Sequence, residues 1–192
     1  KHIKRNNIEG DLVECGVWKG GNLILFKKML EKLNLDKKIF AFDTFQGMPE
    51  PGKEDFDLKN NNAGNIYENY KKKDIKWCFS NLNEVKTNIG KHFEDYEKNF
   101  NFIEGKVEET LVIEKNLPQK ISLLRLDTDF YESTKKELEI LYPRLNKGGV
   151  LIIDDYGHWK GSKKAVDEYF DLKQNFLWFH RIDYASRLYI KQ

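Results

Sequence analysis

Two rhythms of apolar residues alternate along the chain. Short blocks of consecutive apolar positions recur, and between them apolar residues return every three or four positions. Residues 12–16 form the first block, a strand running into a glycine turn; over 22–33, Leu23, Leu25, Phe26, Met29, Leu30 and Leu33 keep helical spacing. Residues 38–43 predict a second strand, which ends in Asp43. A third strand is expected over 101–105, a fourth over 121–127 and a fifth over 149–154. Helices are expected near 82–89 behind the capping signal in Ser80-Asn81-Leu82-Asn83-Glu84, at 107–111, over 132–145 with a bend or end near Pro143, and over 162–172. Residues 176–182 and 186–190 predict a closing pair of strands.

Strands that alternate with helices imply an α/β fold, a mostly parallel doubly wound sheet covered on both faces, with antiparallel strands added at one edge. Residues 48–76 break this rhythm. Gly47, Pro49, Pro51 and Gly52 interrupt regular structure, and the polar stretch that follows holds one helix near 66–72. It reads as an excursion from a single domain spanning 1–192, mobile, and a candidate lid over a site.

The bulk composition narrows the function classes. A chain of 192 residues, 40% hydrophobic and 33% charged, suits one globular domain. Its net charge of +2 supplies no electrostatic footprint for nucleic acid or an anionic membrane surface. The basic run Lys71-Lys72-Lys73 is flanked by Glu68 and Asp74 and reads as a solvated helix face. No apolar run approaches the roughly 20 residues of a membrane span, and no signal-peptide pattern opens the chain. Two cysteines far apart, Cys15 and Cys78, fit a reducing, cytoplasmic setting. The chain starts at Lys1 without an initiator Met, so upstream residues are expected.

Chemistry concentrates at the strand ends, where ligands bind in open α/β sheets. The fourth strand runs into Asp127 and Asp129, and the fifth into Asp154 and Asp155. If the two strands are neighbours they lie about 4.8 Å apart, and their terminal carboxylates can share an ion. All-oxygen ligation suits Mg2+ or a similar divalent cation, so Asp127, Asp154 and Asp155 are the expected metal ligands. Asp129 and Glu132 match a capping box for the helix that follows.

The turn after the first strand, Glu14-Cys15-Gly16-Val17-Trp18-Lys19-Gly20, is neither a dinucleotide fingerprint nor a P-loop. Its glycines permit close approach of a ligand at a helix N-terminus. Glu14 would repel a phosphate and attract an ammonium or sulfonium. Asp43 follows the turn at about the offset, roughly 20 residues, of an acid that binds ribose hydroxyls. A cationic amino acid joined to a nucleoside meets both demands, and S-adenosylmethionine is that molecule.

Four motifs, in order and with compatible spacing, resemble the macrocin O-methyltransferase family. They are Gly10-Asp11-Leu12-Val13-Glu14-Cys15-Gly16-Val17-Trp18-Lys19-Gly20-Gly21, Phe42-Asp43-Thr44-Phe45-Gln46-Gly47-Met48-Pro49, Leu126-Asp127-Thr128-Asp129-Phe130-Tyr131-Glu132-Ser133-Thr134 and Asp154-Asp155-Tyr156-Gly157. The resemblance implies a Rossmann-like class I methyltransferase fold, S-adenosylmethionine as donor and Mg2+ held by Asp127, Asp154 and Asp155. It implies cofactor contacts from Glu14, Gly16, Val17, Asn22, Asp43, Val107 and Asp129. It also implies a homodimer, built in part by N-terminal helices upstream of this chain.

The expected activity is methylation of a sugar hydroxyl on a glycan, nucleotide sugar or glycosylated natural product. The Lys- and Asn-rich composition favours a surface glycan. Catechol-type relatives place a lysine base three residues beyond the first metal Asp, where this chain has Phe130, so the proton falls to Asp127. His158 is the rival base; Tyr156, His158 and Trp159 are candidate substrate contacts, the aromatic rings by stacking on a sugar. The competing readings are a metal-dependent phosphohydrolase or phosphotransferase using the same carboxylates, and a non-catalytic nucleotide-binding module.

Overall fold

The structure is a computed structural model that describes residues 1–171 and 177–192. Its centre is a seven-stranded sheet in the order β3-β2-β1-β4-β5-β7-β6. The strands β1 (Asp11–Cys15), β2 (Ile39–Asp43), β3 (Phe100–Glu104), β4 (Ile121–Leu126) and β5 (Leu145–Ile153) are parallel. β7 (Arg187–Ile190) runs antiparallel to β5, and β6 (His180–Arg181) antiparallel to β7. The expected mostly parallel sheet with an antiparallel edge is what the chain forms.

Besides the one-turn helices α1 (His2–Arg5) and α5 (Val107–Thr110), two different sets of helices cover the two faces. Leu12, Ile39, Ala41 and Phe100 pack with Leu23 and Leu30 of α2 (Gly21–Lys32) and Val85 and Ile89 of α4 (Leu82–Gly90). Val13, Cys15, Leu124, Leu126, Leu151 and Ile153 face α6 (Tyr131–Leu141) and α7 (Lys160–Asp171) through Leu138, Leu141, Val166 and Phe170. Alternate residues of each strand thus enter opposite cores. The chain winds outward from β1 to β3 and returns to β4 beside β1. That reversal opens a crevice at the carboxyl ends of β1 and β4.

Several boundaries differ from the sequence pattern. The helix expected over 132–145 ends near Pro143 as expected, at Leu141, and passes into a 3-10 turn, Tyr142–Arg144, because Pro143 cannot continue an α-helix. Leu145 already pairs with Ile121 in the sheet, and the β5 ladder resumes at Val150 after a shift in register. The closing strand expected over 176–182 shrinks to His180–Arg181, the outermost strand, paired on one side only. Leu177 and Phe179 instead pack on the core, while Phe176, like Leu172 of the expected final helix, lies outside the described residues.

The 48–76 excursion is pinned at several points. Its helix α3 (Ala63–Lys72) starts earlier than expected because the Asn62 side chain accepts from Asn65 N. Ala63, Ile66 and Met48 pack against Trp77, Phe130 and Trp159. Asp57 bridges to Trp159, and Lys160 N donates to Phe56 O at 2.8 Å. Among the described residues, no helix is long and apolar enough to cross a membrane.

Candidate active site

Backbone hydrogen bonds extend the ladder one residue past each central strand. Gly16 N donates to Phe42 O, Asp127 N to Cys15 O and Asp154 N to Leu126 O, each at 2.9 Å. Gly16 sits at φ +84°, and a Cβ there would lie 1.9 Å from Asp127 O, so only glycine lets β1 turn against the end of β4. This brings Asp127, Asp154 and Asp155 together, with one oxygen of each within 4.8 Å of the others. The two strand ends expected to be neighbours are neighbours, and their carboxylates meet.

Arg125 stands in the middle of these acids. It is the direct cross-strand partner of Glu14 and shares a face with Asp127 two residues on. Its Nη1 donates to Glu14 Oε1 at 2.9 Å and to Asp127 Oδ2 at 2.6 Å; its Nη2 donates to Asp154 Oδ1 at 2.8 Å. One guanidinium does not neutralise the cluster. Burial pushes Asp127 up to about 9, opposed by Arg125 and reinforced by Asp155 and Asp154. Burial likewise raises Glu14 to about 7 against the pull of Arg125, with the Asn22 amide beside it.

Asp129 does not cap the helix after it. Its backbone is left-handed (φ +68°), and the first helical N–H, Tyr131 N, is met at 2.8 Å by Asp55 Oδ1 from the 48–76 excursion. The Asp129 carboxyl instead pairs with Asp155 and takes the Trp159 indole N–H; burial raises both acids. Asp155 Oδ2 is buried without a hydrogen-bond partner. A buried acceptor of that kind, among crowded carboxylates, has the donor chemistry of a hard-cation site.

Beside the acids lies a cavity of about 170 Å³. Gly16, Asp43, Val107 and Asp129 line it, as does Asp127. Glu14 and Val17, by contrast, are buried behind the glycine turn, and neither they nor Asn22 form its wall. Asp43 organises that turn: Oδ2 accepts from Val17 N at 2.6 Å and Trp18 N at 3.0 Å, and Oδ1 from Phe45 N at 2.7 Å. Trp18, Phe45, Cys78 and Asp129 all have left-handed backbones here, a concentration of strain that ordinary turns do not need.

The three substrate candidates separate. Trp159 is 4% exposed, its ring enclosed by Trp77, Phe130 and His158. Tyr156 donates its hydroxyl to Asp167 at 2.6 Å and packs on Phe179. His158 stands edge-on to Tyr184, which is 59% exposed, and neither lines the cavity. Phe130, the residue in the place of a lysine base, is buried in the aromatic cluster.

Sequence reasoning missed Arg125, Asp55, Tyr184 and Glu137. Glu137 of α6 is fully buried, and its Oε1 accepts from Thr128 Oγ1 at 2.9 Å, between the two loop acids. An arginine inside an apolar strand, two residues before an acid, was a readable signal; the other three depend on tertiary contacts.

The family model of macrocin O-methyltransferases matches residues 1–191. The chain is 33% identical over 188 residues to demethyldecarbamoylnovobiocin O-methyltransferase of Streptomyces niveus, covering 92% of this chain and 65% of the relative. It is also 33% identical over 172 residues to 8-demethyl-8-(2,3-dimethoxy-alpha-L-rhamnosyl)-tetracenomycin-C 4'-O-methyltransferase of Streptomyces olivaceus, covering 87% and 60%. The chain thus spans somewhat less than two thirds of those relatives' lengths. Among solved structures it resembles the O-methyltransferase NovP, with a TM-score of 0.83 at 30% identity, over 99% of this chain and 75% of that one.

Proposed function

The chain belongs to the macrocin O-methyltransferase family, and we propose that it moves a methyl group from S-adenosylmethionine to a sugar hydroxyl, with a divalent cation such as Mg2+ at Asp127, Asp154 and Asp155. The observation that carries this reading is the meeting of three carboxylates with a cavity lined by Gly16, Asp43 and Val107 at the point where the strand order reverses. The relatives' names support a sugar-bearing acceptor, since one acts on a rhamnosyl tetracenomycin. A glycan, a nucleotide sugar and a glycosylated natural product are all acceptors of this chemistry.

When bound, the cation would lower the pKa of a coordinated hydroxyl, and the cofactor would supply the methyl group. The chain's own residues do the rest. Asp43 fixes the glycine turn whose backbone faces the cavity, and Gly16 and Val107 form its walls. Asp127 has Oδ2 occupied by Arg125. Asp127, once the acids' mutual repulsion is offset, is the group that takes the proton of the acceptor hydroxyl. Met48 and Pro49 of the excursion wall the same cavity, and the excursion serves as its lid, excluding water. Both cysteines are free, which suits a cytoplasmic enzyme.

The test is calorimetry with S-adenosylhomocysteine, followed by a mass-spectrometric screen of glycans and nucleotide sugars for one added methyl group, with and without Mg2+. Micromolar binding and a Mg2+-dependent product are expected. A folded protein that binds no S-adenosylhomocysteine would sink the proposal.

A further inference from the structure

We propose that Arg125 is a positioning residue for the metal-site acids, holding one oxygen of Asp127 and one of Asp154 so that the other oxygen of each faces the cation. The inference rests on the metal reading above. Arg125 takes Asp127 Oδ2 and Asp154 Oδ1, and Ser186 Oγ donates to the same Asp154 oxygen at 3.1 Å. Among the described residues no hydrogen bond or ion pair engages Asp127 Oδ1 or Asp154 Oδ2, and one oxygen each of Asp127, Asp154 and Asp155 lie within 4.8 Å of one another.

The geometry needs an arginine. The Arg125 side chain is 12% exposed and reaches Glu14 of β1 as well as the acids at the ends of β4 and β5. A planar guanidinium, always charged, presents donors in a fixed fork; an ammonium is a point charge on a flexible stem. Glu14 anchors that fork from behind, because it is buried on the adjacent strand in direct register with Arg125. The carboxylates are therefore held by a group that is itself held. Hydrogen-bond partners of metal ligands set affinity by orienting the ligands before the ion arrives.

A plain counter-charge is the competing account. It requires a positive charge near the acids and nothing of its shape. Arg125→Lys separates the two, since lysine keeps the charge and loses the fork. The measurement is calorimetric titration of Mn2+ into the full chain, with a thermal melt of each variant. Arg125→Lys is expected to bind Mn2+ about 10–100-fold more weakly than the wild type. Ser186→Ala, which leaves Arg125 in place, is expected to show a smaller loss in the same direction. If the lysine variant does not fold, Arg125→Gln decides the matter: loss of the fork weakens Mn2+ binding, whereas on the counter-charge account loss of a nearby positive charge strengthens it. Leu138→Ala, destabilised in the core away from the acids, is expected to bind Mn2+ like the wild type. Unchanged or tighter binding by the folded lysine variant overturns the inference and leaves the metal reading intact, as does unchanged or tighter binding by Arg125→Gln should the lysine variant not fold. A wild-type chain that binds no Mn2+ removes both.

Discussion

Asp43 and Asp127 end strands on either side of β1, yet they live under opposite conditions. Asp43 accepts hydrogen bonds from Val17 N, Trp18 N and Phe45 N, with the Thr44 hydroxyl at 3.4 Å. Its charge is met by the backbone of the turns it holds. Asp127 has one donor group, Arg125, shared with Glu14 and Asp154, and other carboxylates press on it. One side of the site is finished by the fold; the other is left with excess negative charge. A charge that the protein itself satisfies builds structure, and a charge that it leaves unmet calls for a ligand.

The sharpest way to break this contrast is to neutralise each acid in turn. Asp127→Asn is expected to lower turnover by about 10²-fold or more and to abolish tight Mn2+ binding. S-adenosylhomocysteine binding and the melting temperature should change little, because a crowded buried carboxyl has been removed. Product formation on whichever acceptor the screen identifies, beside calorimetry and a thermal melt, reads all three. Asp43→Ala should behave in the opposite way. It strands the N–H groups of the glycine turn and is expected to cost about 2 kcal/mol of stability, together with cofactor affinity. If the two variants lose the same property, the division of labour is wrong.

How much of this was legible in advance follows the same line. The acids at 127, 154 and 155 were readable because each ends an apolar run, and a parallel sheet gathers such ends. Arg125 escaped because its role depends on register: only pairing β1 with β4 sets it opposite Glu14. Asp129 misled because Asp129 and Glu132 match a capping box locally, while the left-handed backbone at 129 turns the carboxyl toward Asp155. Local patterns report what a residue can do within a few positions. They are silent on which partner, distant in sequence, arrives first.

Glu137 sharpens the comparison from beneath the loop. Burial raises its pKa well above the ordinary value of 4.5, and Thr128 is its hydroxyl partner. The folded state therefore keeps a proton that the unfolded chain gives up near that value. The stability this contributes is full below the unfolded pKa and is lost as pH rises toward the folded one. The slope is up to about 1.4 kcal/mol per pH unit. Glu137→Gln cannot ionise, so urea melts between pH 5 and 8 should show a flatter pH dependence than the wild type. Parallel curves would mean that Glu137 is ionised in the fold.

The smallest effect expected is at Asp55, the acid that the excursion lends to the core. Its Oδ1 accepts from Tyr131 N at 2.8 Å and its Oδ2 from Gly52 N at 2.7 Å. It thus replaces the cap that Asp129 would have supplied to α6. Gly161 leaves the room for it, since a Cβ there would lie 2.0 Å from Asp55 Oδ1. Freed from capping, Asp129 can face Asp155 and Trp159. Asp55→Ala should cost about 1 kcal/mol, as loss of a helix cap does. It should also speed amide exchange at the start of α6 and around Gly52 more than elsewhere. Because Asp127, Asp154 and Arg125 are untouched, Mn2+ affinity should hold. A variant that loses metal binding along with the cap would show that the excursion, and not the sheet alone, sets the geometry of the acids.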